Sequence, residues 1–333
     1  MKILFTLESS AGMEVKMKQI EMQDLTIPPI AIGTWAWGKG PFGSKFIFGV
    51  SHGIEELKPI YHYAVKNGLT LFDTAPVYSL GSSEKIIGDL SNGEDILIST
   101  KFMPTSWLPR KSMSWTLNSS LSRLKRADTD IYWIHRPANV TKWAKEIIPL
   151  MKANKIRYCG ISNHNLKQIK EVELILKNAG LKLAAIQNHF SLLYRNSEEN
   201  GIMKYCEEQG ITFFAYMVLE QGALTGYYNY NHPFPKRTRR ARAFSKQRLK
   251  QIEPLILEMK NIGLKYNVGV AEIAIAYALA KNTVPIIGVT KVKHIDSALA
   301  ALKITMSEED IHKLEYFSNN FQLKIKGFWE KKM

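Results

Sequence analysis

The chain has 333 residues, 45% of them apolar and 23% charged, which are ordinary values for a globular chain with a large buried core and exclude disorder as its main theme. No apolar run approaches the ~18 residues that a membrane helix needs, so no membrane partner is expected. The 45 basic and 30 acidic residues leave a net charge of +15. Eight of the basic residues fall in Lys236–Lys250, which holds no acid, so the remainder carries only +7 and the excess is local.

In chain order, residues 1–16 read as an N-terminal extension ahead of a unit spanning 17–333. The opening apolar stretch is too short for a secretory signal. The only cysteines, Cys159 and Cys206, stand outside any metal-ligand or C-x-x-C spacing, so a reducing, cytoplasmic setting with no metal is expected. Lys18 to Ile27 suits a short hairpin.

Eight apolar or β-branched runs then follow, starting at Ile30, Thr70, Ile96, Asp130, Ile156, Ala184, Ile211 and Val284. Helix-period segments separate them, at Gly53–Val65, Ser83–Leu90, Ser112–Lys125, Trp143–Ala153, Leu166–Lys177, Glu198–Gln209 and Val270–Ala280. Alternation of this kind predicts parallel strands with both faces covered. Two more helices are expected after the last strand, His294–Leu302 and Ser307–Phe317.

Closed and open sheets both fit that alternation, and the strand ends separate them. Thr34 and Trp35, Asp73, Lys101, His135, Ser162 and Asn163, Gln187, Tyr216 and Gly288 each end a run. In a (β/α)8 barrel such ends converge on one face, where active sites lie. An α/β fold of the (β/α)8 TIM-barrel type, with an N-terminal hairpin and extra C-terminal helices, is therefore predicted.

Within that frame Asp73, Tyr78, Lys101 and His135 meet in one pocket. A phenol titrates near 10, an adjacent ammonium favours its phenolate, and a carboxylate holds the ammonium charged. A neutral histidine can direct a substrate oxygen. Together these groups suit protonation of a carbonyl oxygen while a hydride arrives at carbon. Each alone has a plainer reading: a turn-capping aspartate, a rim lysine, a loop aromatic, a core histidine.

The chain resembles the aldo-keto reductase family from about Gln19 to Leu314. The matching stretches are Gly33-Thr34-Trp35, Gly68 to Ala75 leading to Tyr78, Glu84 with Gly88, Ser99-Thr100-Lys101 and Asp130 to His135. They continue through Gly160 to Asn163, Gln187, Tyr216, Gly222 to Gly226 and Pro285 to Gly288. The resemblance implies NADPH-dependent reduction of a small-molecule aldehyde or ketone. Tyr78 is then the general acid, Lys101 its partner, Asp73 the counter-ion of the lysine and His135 the carbonyl orienter.

For NADPH (or NADP+) the resemblance implies contacts from Thr34, Trp35, Ser162, Asn163, Gln187, Tyr216, Leu219, Gly222, Leu224, Gly288, Thr290, Lys291 and His294. Tyr216 would stack on the nicotinamide and the backbone of Leu219 to Leu224 would meet the pyrophosphate. Trp35, Trp37 and Trp107 are the substrate-wall candidates, with Phe42, Phe46 and Phe48 extending the first loop. Met217-Val218-Leu219 and the run from Gly288 to Ala298 depart from the family pattern, which predicts weaker cofactor binding with NADPH preferred over NADH. Potassium-channel β-subunits have a similar barrel, so a slow, cofactor-binding regulatory protein is the alternative. The basic segment is expected to be a solvated loop and helix start ahead of a phosphate clasp, and nucleic acid is not an expected partner. The sequence sets no oligomeric state.

Overall fold

The computed structural model describes residues 17–40, 48–49, 51–104 and 112–319. A hairpin of β1 (Ile20–Met22) and β2 (Leu25–Ile27) precedes eight parallel strands: β3 (Ala31–Gly33), β4 (Leu71–Asp73), β5 (Leu97–Phe102), β6 (Thr129–Ile134), β7 (Ile156–Ser162), β8 (Leu183–His189), β9 (Thr212–Tyr216) and β10 (Val284–Gly288). They pair in sequence order, and β10 returns to β3 through Ile286–Ala31, Ile287–Ile32 and Gly288–Gly33, closing the barrel.

Helices α1 (Ile54–Lys66), α2 (Ser82–Leu90), α3 (Met113–Leu124), α4 (Val140–Lys152) and α5 (Leu166–Asn178) cross between successive strands. The segment expected as one helix over Glu198–Gln209 forms two, α6 (Asn196–Glu199) and α7 (Ile202–Gln209). Gly201, with φ of 73°, breaks the run between them. Between β9 and β10 lie α8 (Arg239–Ala243), α9 (Lys246–Tyr266) and α10 (Val270–Ala280); α11 (Val292–Ala301) and α12 (Glu308–Asn319) follow. No single helix among the described residues is long and apolar enough to cross a membrane.

Alternation along each strand divides the core in two. Outward residues such as Phe72, Ile98, Tyr132, Ile134 and Ile186 pack under the helices. Inward residues Ala31, Leu71, Ile131, Trp133, Ala185, Phe214 and Ile286 fill the barrel, and Met22, Leu25 and Ile27 of the hairpin join them as its floor. Gly160 makes room for the largest of these, since a Cβ there would come within 2.2 Å of the Trp133 ring. Continuing the same parity upward brings Asp73, Ser99, Lys101, Ser162, Gln187 and Tyr216 to the inner face at the strand ends.

Candidate active site

Asp73, at the end of β4, is the hub of that inner face. Its carboxylate accepts hydrogen bonds from Ser99 Oγ at 2.6 Å, from Gln187 Nε2 at 3.0 Å and from the Lys101 ammonium. Lys101 is fully buried and also donates to the Thr74 carbonyl at 2.9 Å. Burial pushes the lysine pKa down, and Asp73 opposes that shift. The sequence reading missed Ser99, although its position two residues before Lys101 on the same strand face marks it.

Tyr78 opens the one-turn 3-10 segment after β4, and Ser79, Leu80 and Gly81 follow with positive φ. This tight reversal turns the phenol back over the strand ends. Its ring centroid lies 5.1 Å from Lys101 Nζ and 6.4 Å from the His135 ring, with Trp35 stacked at 6.0 Å. The four expected residues therefore do meet.

The electrostatics differ from the expectation in one respect. Burial, reinforced by Asp73 and Tyr216, raises the Tyr78 pKa well above 10. Lys101 does not dominate because Asp73 neutralises it at close range. Buried His135 is pushed well below its usual value by burial and then by Lys101 and Arg136, so it is neutral near pH 7.

Beyond the four, Asn163 ties the strand ends together. Its amide nitrogen donates to the His135 carbonyl at 2.9 Å and to Ser162 Oγ at 3.0 Å, while its oxygen accepts from Tyr216 OH at 2.5 Å. Tyr216 keeps a partly exposed ring. At the β10 end Gly288 is exposed with open space where a Cβ would stand. Thr290 N donates to His294 Nδ1 at 3.2 Å, and burial lowers the His294 pKa to about 4. Lys291 is exposed beside them.

Several expected contacts are corrected. Trp37 is fully buried, and its indole N–H donates to the Val289 carbonyl at 2.8 Å, so it is core rather than pocket wall. Thr34 is likewise buried; its hydroxyl donates to the Asp73 carbonyl at 2.9 Å and accepts from Ser83, which splices strand ends rather than facing a cofactor. The amides of Gly222 and Leu224 donate to the Leu219 carbonyl at 2.8 and 3.2 Å, so they close the turn instead of pointing outward. Trp107, Phe42 and Phe46 lie outside the described residues.

The basic segment is not merely a solvated loop. Arg240 donates to the Phe48 carbonyl at 2.6 Å and to the Gln221 carbonyl at 3.4 Å, amid the rings of Phe48, Tyr228 and Phe234. It straps the segment to the first barrel loop and to the turn after β9. Arg239 is half-buried, its pKa lowered by burial and then by Arg242, with Tyr216 opposing.

The Aldo/keto reductase family model matches residues 29–319. A chloroplastic pyridoxal reductase of Arabidopsis thaliana is 28% identical over 90% of this chain and 85% of its own. The aldo-keto reductase yakc of Schizosaccharomyces pombe, whose name specifies NADP(+), is 27% identical over 90% of this chain and 94% of its own. Among solved structures, a thermostable aldo-keto reductase in complex with the inhibitor epalrestat superposes with a TM-score of 0.73 at 25% identity, covering 90% of this chain and all of that one. A glycerol dehydrogenase of Gluconobacter oxydans shares the fold, with a TM-score of 0.77 at 24% identity over 94% of this chain and 98% of that one.

Proposed function

This chain belongs to the aldo/keto reductase family, and on that premise we propose that it reduces an aldehyde or ketone to the alcohol with NADPH, Tyr78 serving as general acid. The observation that carries the reading is the meeting of Tyr78, Lys101 and neutral His135 over the Asp73 hub.

The residues present fit a phosphorylated dinucleotide. Tyr216 offers a partly exposed ring for the nicotinamide, and the open, glycine-lined end at Gly288 leaves room beside the cation of Lys291. Half-buried Arg239 adds positive charge on the Tyr216 side, and Gln221 and Gly222, at φ of 58° and 107°, curve the backbone of the turn after β9. Ser162, Asn163 and Gln187 line the inner face where the carboxamide would lie, with Leu219, Thr290 and His294 toward the phosphates and adenosine. When bound, NADPH supplies a hydride to the carbonyl carbon.

The protein's own groups handle the oxygen. Neutral His135 directs the carbonyl oxygen toward the phenol, and Tyr78 passes its proton to that oxygen as negative charge develops there. The raised pKa of Tyr78 keeps this proton in place at neutral pH. The Lys101 ammonium, held by Asp73 and Thr74, then stabilises the tyrosinate until solvent returns a proton. Trp35, stacked on Tyr78, forms an apolar wall for the substrate.

An NADPH-oxidation screen over aldehydes and ketones, run beside Tyr78→Phe, tests the assignment. Turnover by the native chain and its loss in the variant are expected. Tight NADPH binding without turnover on any carbonyl would support the cofactor-binding regulatory role instead.

A further inference from the structure

The turn after Tyr216 carries a glutamate with no part in the chemistry above. Glu220 is fully buried, with φ of 45°, and Gln221 follows at 58°. Two successive residues with side chains resist this left-handed backbone, so something must hold it. Glu220 Oε1 accepts from Ser191 Oγ at 2.5 Å and lies 2.6 Å from His189 Nε2. Its second oxygen, Oε2, is buried with no hydrogen-bond partner among the described residues.

His189 is buried at the end of β8 and stacks with Tyr194, at 4.2 Å and 14°, and with Tyr216, at 5.5 Å and 24°. Tyr216 is therefore supported on its face by His189 and at its hydroxyl by Asn163. A buried carboxyl group is costly to desolvate, and beside an anionic ligand it would also weaken binding. Turned inward onto His189 and Ser191, it instead joins the turn to the ring stack.

Resting on the NADPH reading, we propose that Glu220, His189 and Ser191 form a positioning cluster that sets the plane of Tyr216 and the curve of the following turn together, so that the nicotinamide half of the cofactor meets a fixed platform. None of the three is a catalytic residue; they act through Tyr216 and the turn backbone.

Calorimetric titration of the full chain with NADPH and with adenosine 2′,5′-bisphosphate, which lacks the nicotinamide, tests this role. Glu220→Ala and His189→Ala are each expected to weaken NADPH by about ten-fold, with the bisphosphate changed less than about two-fold. Glu220→Gln keeps an oxygen acceptor for both donors and should recover NADPH affinity to within about three-fold of the native chain. The double alanine variant should be no worse than the weaker single variant, as expected of groups acting as one unit.

Unchanged NADPH affinity in the folded alanine variants, or equal loss of both ligands, would overturn the proposal. If Glu220→Ala does not fold, Ser191→Ala carries the test: a loss of about three-fold confined to NADPH supports the cluster, and an equal loss for both ligands refutes it. Failure of the native chain to bind NADPH would overturn the cofactor reading itself, which keeps the two failures distinct.

Discussion

Asp73 accepts from Ser99, Gln187 and Lys101, and the lysine has no exposed surface. Removing one partner of such a buried pair strands the other. Lys101→Met should therefore cost about 3 kcal/mol in urea unfolding as well as activity; a variant that loses activity at native stability would show that the pair is not structurally coupled. Tyr78 titrates well above 10 and His135 well below its usual value, so neither changes charge from about pH 6 to about pH 9. The reductive kcat/KM should accordingly be flat across that window, whereas alcohol oxidation, which needs the tyrosinate, should rise with pH. A reductive profile with a limb near pH 6.5 would contradict a histidine held neutral by burial. Asp73, Lys101 and His135 were legible in the sequence because each closes a strand run and a barrel brings those ends to one face, with Tyr78 in the loop that follows β4. Thr34 and Trp37 were misread because β3 stops at Gly33, and the chain beyond it turns both side chains into packed interior.

At the level of elements, strand order and most helices follow from periodicity, and the boundaries shift by a few residues where caps decide. Helix α4 starts at Val140, after Asn139 in a left-handed conformation, rather than at the expected Trp143. The basic segment was legible in charge but not in purpose, because the Phe48 carbonyl that anchors Arg240 is 192 residues away in sequence. Arg240→Ala removes that strap without emptying the core. It should raise the KM for NADPH by about five-fold while changing thermal stability little, since it releases a surface segment from the turn after β9. An unchanged KM would mean that the segment takes no part in holding the cofactor. By contrast, Gly160→Ala should cost about 1–3 kcal/mol, because its Cβ would meet the Trp133 ring inside the barrel; native-like urea unfolding would show that the barrel interior yields easily.

For the whole molecule, closing the sheet is what turns residues scattered over most of the sequence into one site: β10 pairs with β3, so Lys291 and Trp35 lie on the same rim. The closed form was legible from the polar strand ends taken together, while the cluster of His189 and Glu220 was not, since it depends on how the turn after β9 folds back onto the end of the neighbouring strand β8. The net charge of +15 gives the chain a field that favours anionic ligands. The KM for NADPH should therefore rise several-fold as salt shortens the Debye length from about 10 Å at 0.1 M toward about 3 Å at 1 M, and a salt-independent KM would argue that these charges face elsewhere. The most direct test of the account is single-turnover reduction of an aldehyde with 4-deuterated NADPH, comparing the native chain with Tyr78→Phe. The native chain should place deuterium on the carbinol carbon, and the variant should bind the cofactor normally yet react about 10³-fold more slowly. Product without the label, or a variant as fast as the native chain, would contradict a hydride delivered to carbon as Tyr78 protonates oxygen.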